Sequence, residues 1–594
     1  MKNYKLIARV VVVMVVTLVT SCSESFLDVQ APGVINPDAL NTVTKTEELV
    51  IAAYSALGNS TYTDAYVSDY VWGSVRSDDG HKGGSSISDQ GNLNALEQYN
   101  LNNTGTGGYG AATWSRLYEG IARANLALRQ LDLFTDDEYV VTNVPDARTR
   151  RRAELLFIRA HFMFIAKRIW KYIPFIESDV VGDDLDLVSN REYTNDELWD
   201  KIAADFQFGV DNLPLIQSQP GRPNRWAAKA YLAKVRLYQA YVQDETNAVI
   251  SIDQNKLNEV VTLTADIIDN GPYNLVPNFA TKWTNGNDNN RESIFAIQYS
   301  ADDGTTTGRV DFEHGLNYNL ASQYGCCGFH QPSGNLVNAF QTDPASGLPL
   351  FDTFDNNTVR ATVEADFQAP NTFDPRLDHT VGIPGHPFKY DPGFVASTAW
   401  ARAPTIYGYY VTMKEIQHYS CGCLRKSNVF IGTANNWDVL QFNDVILMKA
   451  EALIQLNSGG GLLEARDLIN RIRSRANNKV SVTYPAGHAK AGQGFSNYRA
   501  DLYTDANLPW NKANAIKALE FERRLEFAME SPRFHDLVRW GKAASVLNAY
   551  LQNEKVRYAY LGAAEFTAGR DEYLFIPQEQ INLTNGVYVQ NPGY

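Results

Sequence analysis

"LEFERRLEFAMESPRFHDLVRWGK", Leu519 to Lys542, is the stretch on which the fold turns. Glu520, Glu522, Arg523, Arg524, Glu526, Glu530, Arg533, Asp536 and Arg539 alternate with Phe521, Leu525, Phe527, Met529, Phe534, Leu537 and Trp540. Glu522, Glu526 and Glu530 lie four apart, which puts them on one stripe of a helix. Alone they would repel. Arg523 lies three before Glu526, and Glu520 four before Arg524, while Arg533, Asp536 and Arg539 follow at three-residue spacing. Two facing helices can therefore interlock carboxylates with guanidinium groups, whose planar fork accepts a carboxylate in bidentate fashion. Chemistry fits less well. A carboxylate-bridged di-iron site wants Glu-x-x-His on helices, but Glu530 and His535 are five apart with a helix break between them. A glycosidase wants two carboxyl groups in a sugar-sized cleft, and these carboxylates have arginine neighbours on helix interiors. The stretch reads as a structural ion network. Ser531 is expected to cap the second helix, with Pro532 in its first turn. The same reading covers Glu154 and Arg159 in "AELLFIRA" and Lys449 and Glu451 in "MKAEAL".

Outward from this stretch, helices are expected over 512–530 and 532–550, 462–477 and 437–456. Toward the N-terminus, apolar residues at three- and four-residue spacing predict helices over 45–60, 113–134, 151–173, 196–213, 225–242 and 254–270. Long helices joined by short loops suggest a mainly α chain of tetratricopeptide-like helical hairpins, although no clean 34-residue consensus repeats. From 271 to 430 the helical period fades into segments such as "TNGNDNNRES" and "YGCCGFHQPSGN". This is a large loop-rich insertion carrying short strands, for example over 292–300. A long irregular section in a compact chain is usually functional.

The chain has 594 residues, 44% hydrophobic and 20% charged, which suits a folded protein larger than one core. A net charge of -14 argues against a nucleic-acid partner, which needs a basic footprint. "MKNYKLIARVVVVMVVTLVTSC" has Lys2, Lys5 and Arg9 before an apolar run, a signal segment too short to span a membrane. Val19-Thr20-Ser21-Cys22 has the lipobox pattern of bacterial lipoproteins, so Cys22 is the expected acylated residue and lipid anchor. Losing residues 1–21 removes three positive side chains and leaves a charge of -17. Cys326-Cys327 and Cys421-Gly-Cys423 are spaced poorly for zinc. No metal or cofactor is expected. An exported compartment permits disulfides within these pairs; free or separately paired thiols are the alternative.

The order of segments resembles the SusD/RagB family over nearly the whole chain. Cys22 is followed by "SFLDVQAP", "WSRLYEGIARANLAL" (114–128), "AELLFIRAHFMF" (153–164) and "GRPNRWAAKAYLAKVRLY" (221–238). Then come "FNDVILMKAEAL" (442–453), "LINRIRSRAN" (468–477), "FERRLEFAMESPRFHDLVRWG" (521–541), "YLFIPQEQI" (573–581) and "QNPGY" (590–594). Members often carry Arg-Tyr-Ala-Asp where this chain has Gln441-Phe442-Asn443-Asp444, and Glu-Gly where it has Glu530-Ser531. The resemblance implies a lipid-anchored outer-membrane protein on the extracellular face. It implies an oligo- or polysaccharide ligand, sometimes a peptide, and a SusC-type TonB-dependent transporter as partner. It implies no catalytic activity; a glycan-cleaving enzyme is the remaining alternative. The division expected is a signal peptide over 1–21, a helical region over 22–270, the ligand-binding insertion over 271–430 and a C-terminal helical region over 431–594.

A sugar presents a flat C–H face and a ring of hydroxyls, which aromatic planes and polar groups meet respectively. The loop 66–86 offers Tyr70 and Trp72 beside Arg76, Asp78 and Asp79, and the family places ligand contacts in this early loop. Packing of Trp72 beneath the loop is the competing reading. A bonded Cys326-Cys327 pair would expose a sulfur-and-carbon face among Tyr324, Phe329 and His330. A third segment, 397–412, adds Trp400, Arg402, Tyr407, Tyr409 and Tyr410. The expected contacts are therefore Trp72, Arg76, Asp78, Tyr324, Cys326, Cys327, His330, Arg402 and Tyr409. His314, His379 and His386 read as ordinary loop histidines.

Overall fold

The computed structural model describes residues 41–58, 69–101, 107–304, 308–356 and 364–594. Cys22 and the signal segment lie outside them. Among the described residues, no helix is long and apolar enough to cross a membrane.

The longer helices are α1 (Val43–Ser55), α2 (Gly107–Leu131), α3 (Ala147–Trp170), α4 (Asn195–Asn212), α5 (Arg225–Ala240), α6 (Gln254–Asn270), α7 (Phe442–Leu456), α8 (Gly459–Ala476), α9 (Lys512–Phe527), α10 (Arg533–Arg539) and α11 (Ala543–Glu554). Neighbours from α2 to α9 pack in succession, so each helical hairpin lies against the next. Side chains with oxygen start several of them. Thr194 and Glu197 form a reciprocal capping box on α4, and Asp253, Ser458 and Asn511 cap α6, α8 and α9. Helix α3 buries Phe157, Ile158, Phe162, Met163 and Trp170 on several sides, the mark of a central helix rather than a surface one.

Most described strands fall within 271–430, in small two-stranded sheets. Six strands position the loops of the candidate site: β1 (Gly80–Gly83), β2 (Ser293–Ile297), β3 (Phe329–Pro332), β4 (Leu424–Ser427), β5 (Phe430–Thr433) and β6 (Trp437–Gln441). The insertion shares its core with the C-terminal helices: Leu336, Phe340, Phe373 and Leu377 pack with Leu525, Ala528 and Met529.

Two expected helices are corrected. Residues 437–441 form β6 against β2 before α7 begins, because Trp437 and Val439 suit a pleated surface. The span 532–550 is two helices. Gly541 between them has φ +68°, and a Cβ there would lie 3.0 Å from Val249 Cγ2. Ser531 does not cap α10; it sits at φ 78° and the side chain makes no capping bond.

The ion network is present, but its partners come from far along the chain. Arg376, fully enclosed, donates to Asp374 at 2.8 Å, Glu522 at 3.0 Å and Glu526 at 3.3 Å. Arg473 reaches Glu522 at 2.7 Å, and Arg475 joins Glu292 to Glu526. Lys414 holds Glu530 at 2.7 Å. Burial alone would raise the Glu526 carboxyl; Arg475, Lys282 and Arg376 hold it down at about 2. Within the opening stretch, Arg523 on α9 meets Asp536 on α10 at 2.8 Å and Asp444 on α7 at 2.9 Å. Glu520 instead takes Lys542. Glu154 pairs with Arg151 and Arg222, Arg159 with Asp205, Lys449 with Glu464, and Glu451 with Arg539.

Candidate functional site

The pairing of β1 with β3 joins the two loops expected to carry ligand contacts. Gly80 lies opposite Pro332 and Gly83 opposite Phe329, and the Gly84 amide donates to the Gly328 carbonyl at 2.8 Å. Glycine is required at 83, where φ is +80° and a Cβ would fall 2.3 Å from that carbonyl oxygen.

The side chains of the early loop nevertheless turn inward. Trp72 is 0% exposed and belongs to the helical core. Its turn, Tyr70–Ser74, presses against the turn between α9 and α10: a Cβ on Gly73 would come within 1.7 Å of the Ser531 carbonyl. Arg76 is buried, with its guanidinium 4.1 Å over the Phe534 ring and a 2.6 Å bond to the Asp571 carbonyl. Asp78 is buried and accepts bonds of 2.8 and 2.9 Å from Arg533, with Arg524 at 3.2 Å. Burial would raise this carboxyl, but Arg524 and Arg533 hold it at about 2. His330 is buried 2.8 Å from Ser74 Oγ, and burial, then charged His314, keep it well below the usual imidazole range. Tyr324 is buried and donates to the Gln417 carbonyl at 2.9 Å. Trp72, Arg76, Asp78, Tyr324 and His330 therefore form the support of the site and not its surface. A buried ring cannot stack on a ligand, and a carboxylate already held by two arginines has little capacity to accept from a hydroxyl.

What does face outward lies one shell higher. The structure bonds Cys326 to Cys327 and Cys421 to Cys423. Cys326 is half-buried and Cys327 buried. Arg402, exposed beside them, has Nη1 3.3 Å from the Cys327 carbonyl and 3.5 Å from Asp89 Oδ2. Asp89 is held by the Ser85 amide and hydroxyl, both at 2.8 Å. Beneath that loop, Lys82 donates to the Ser86 and Asp89 carbonyls and lies over the Phe329 and Tyr407 rings. Burial lowers its amine to about 8. The Leu320 amide fixes the Trp400 carbonyl at 3.0 Å. The half-buried Trp400 ring packs on Phe394 at 4.7 Å, and Tyr419, 41% exposed, packs on Phe394 at 4.8 Å. His418 lies 4.3 Å from Tyr419 and 3.3 Å from Asp391. On β4, Lys426 donates to the Gln323 and Tyr324 carbonyls, tying the β4–β5 hairpin to the cysteine loop. Tyr409 is half-buried in the turn leading to buried Tyr410.

The exposed Tyr419 ring, the half-buried Trp400 ring and Cys326, and a few oriented polar groups thus lie on neighbouring loops. Tyr419, Asp391, Asp89 and Lys426 were missed in the sequence. Only the Tyr419–Cys423 run carried a signal, an aromatic beside a cysteine-pinned turn. His314 pairs with Glu415 and His386 with Asp378, so these histidines are structural. Among the described residues, no group of His, Cys, Asp and Glu is placed to hold a metal ion.

A sequence model of the SusD family matches residues 291–594, just over half of the chain. A second, described as "Starch-binding associating with outer membrane", matches residues 25–237. A SusD-like protein of Bacteroides ovatus is 29% identical over 544 residues, spanning 88% of this chain and 80% of that one. A SusD superfamily protein of Bacteroides vulgatus has the same fold, with a TM-score of 0.64 at 20% identity over 93% of this chain and 99% of its own. A laminarin-binding SusD-like protein aligns with a TM-score of 0.63 at 22% identity, over 93% and 99%. Surface glycan-binding protein A of Bacteroides thetaiotaomicron, solved with laminarihexaose, aligns with a TM-score of 0.60 at 20% identity, again over 93% and 99%. The helical hairpins, the loop-rich insertion and the match through residues 291–594 lead to one conclusion: the chain belongs to the SusD family.

Proposed function

We propose that this protein is a surface glycan-binding lipoprotein. It captures an oligo- or polysaccharide on the Cys326-Cys327, Trp400, Arg402 and Tyr419 face and delivers it to a SusC-type TonB-dependent transporter. It sits on the extracellular side of the outer membrane, anchored through Cys22, and it binds without cleaving. The observation that carries this reading is the packing of Trp400 and Tyr419 against Phe394, with Arg402, two residues beyond Trp400, reaching both the Cys327 carbonyl and Asp89. Rings supply apolar contact to sugar C–H faces, and such contact yields more net affinity than hydrogen bonds exchanged with water. Family membership and the laminarin-binding neighbours support the ligand class, and the lipobox supports the anchor. In this reading the insertion 271–430 bears the ligand, while the helices of 22–270 and 431–594 hold it toward the transporter.

The test is calorimetry of the mature protein against a glycan panel, with Trp400→Ala and Tyr419→Ala as variants. A binding glycan lost in both variants supports the site. Binding retained in both moves the site elsewhere, and new reducing ends in the incubation would make the protein an enzyme. For the anchor, Cys22→Ser should free the protein from the membrane fraction.

A further inference from the structure

We propose that the ligand of this face is a neutral glycan, one without uronate, sulfate or phosphate groups. The proposal rests on the reading of the face as a glycan site and narrows it.

The charges at the face balance. Arg402 faces Asp89 at 3.5 Å and also donates to the Cys327 carbonyl. Arg425 reaches Asp302 at 3.2 Å and donates to the Gly422, Leu424 and Ala301 carbonyls. Lys426 has two carbonyl partners, at Gln323 and Tyr324, so its charge is not neutralised there. The fourth candidate cation is His418, 3.3 Å from Asp391. Burial lowers its pKa against the pull of Asp391, so it adds no cation to the face at neutral pH. Arg402, Arg425 and Lys426 are thus matched in number by Asp89, Asp302 and Asp391, the first two cations by direct contact, and the face has no surplus of positive charge.

An anionic chain would have to draw Arg402 or Arg425 from its carboxylate and then lie beside that carboxylate. Asp391 and Asp302 are exposed, at 40% and 93% of their side chains, and would repel it directly. The long-range field opposes it as well, because the whole chain carries -14. A neutral sugar meets none of these costs. It can use the rings and accept or donate to the ion pairs as they stand.

The experiment is calorimetry of the mature protein against neutral polysaccharides (laminarin, starch, xyloglucan, galactomannan) and anionic ones (polygalacturonate, alginate, a sulfated galactan). Each is measured at about 50 and about 500 mM NaCl, a range over which screening of surface charges changes strongly. The expected result is a neutral ligand whose Kd moves less than about twofold between the two salts. An anionic polysaccharide that binds more tightly than every neutral one, and weakens about tenfold in high salt, overturns the inference while leaving a glycan-binding function intact. No binding in either class overturns the functional reading and this inference with it. Asp89→Asn and Asp391→Asn supply the second measurement. Each leaves one unbalanced cation, so each should gain weak polygalacturonate binding that high salt abolishes. Two folded variants that gain nothing would show that charge balance does not set the ligand class.

Discussion

Trp72 and Trp400 carry the same indole with opposite surroundings, and substitution should separate them. Trp72 is fully enclosed, so Trp72→Ala should cost about 3–5 kcal/mol of stability, the range for large core truncations. Tyr419→Ala should leave melting temperature nearly unchanged, Trp400→Ala should lower it less than Trp72→Ala does because its ring is only half-buried, and each should cost about 1–3 kcal/mol of glycan binding. Circular-dichroism melts paired with calorimetry read both quantities, and a large affinity loss in a stable Trp72→Ala protein would return that residue to the site. Asp438 on β6 gives a pH prediction. Burial pushes its carboxyl up to about 6 against a hydrogen bond from Ser293. Its folded pKa exceeds its unfolded one, so the folded state binds the extra proton, and stability falls as pH rises from about 4 to about 6. Asp438→Asn should therefore be more stable than the native protein above pH 6, by about 1–2 kcal/mol, with the gap closing toward pH 4. Denaturant unfolding at three pH values checks this, and a gap that widens on acidification would contradict the sign.

Helix α10 is tied to the run-up to β1 by Arg533 on Asp78, alongside Arg76 over the Phe534 ring and His535 beside Asp69. Arg533→Ala leaves Asp78 buried with Arg524 alone, and losing one partner of a buried pair costs about 3–5 kcal/mol. The retained Arg524 places the expected loss at the low end of that range. Binding should survive, because Asp78 lies beneath the face and not on it. Adding Asp78→Asn should recover part of the stability, since the pair is coupled. An affinity loss at unchanged melting temperature would mean that α10 contributes to the ligand surface. The expected cap at Ser531 failed for a reason that also belongs to this scale. Met529 and Ser531 both adopt positive φ, at 64° and 78°. That tight turn delivers the Ser531 carbonyl to Gly73 and brings α9, α10 and the early loop into contact.

For the whole molecule, the helices and the insertion bury side chains in common clusters, while the disulfides are local. Cys326–Cys327 and Cys421–Cys423 have sequence separations of 1 and 2. Closing so little chain removes little entropy from the unfolded state. Mild reductant should therefore shift the melting temperature by no more than about 1–2 °C, and scanning calorimetry with and without reductant would show it. The fold was legible in the sequence because amphipathic periodicity is a local property and the family segments stand in order along the chain. The ion network was legible as a network, since so many arginines and carboxylates among apolar residues have few other stable arrangements. Its partners were not: Glu522 meets Arg376 and Arg473, and Asp78 meets Arg533, across long stretches of chain. The proposed face was half legible. Cysteine adjacency and the aromatic run at 397–412 drew attention to two of the loops that form it. An aromatic beside charged residues, however, describes an exposed sugar platform and a buried ion-paired core equally well. Only the tertiary structure decided between them, because the direction of Trp72 depends on whether Gly73 can close against Ser531. That packing brings together residues more than four hundred positions apart, and no local pattern encodes it.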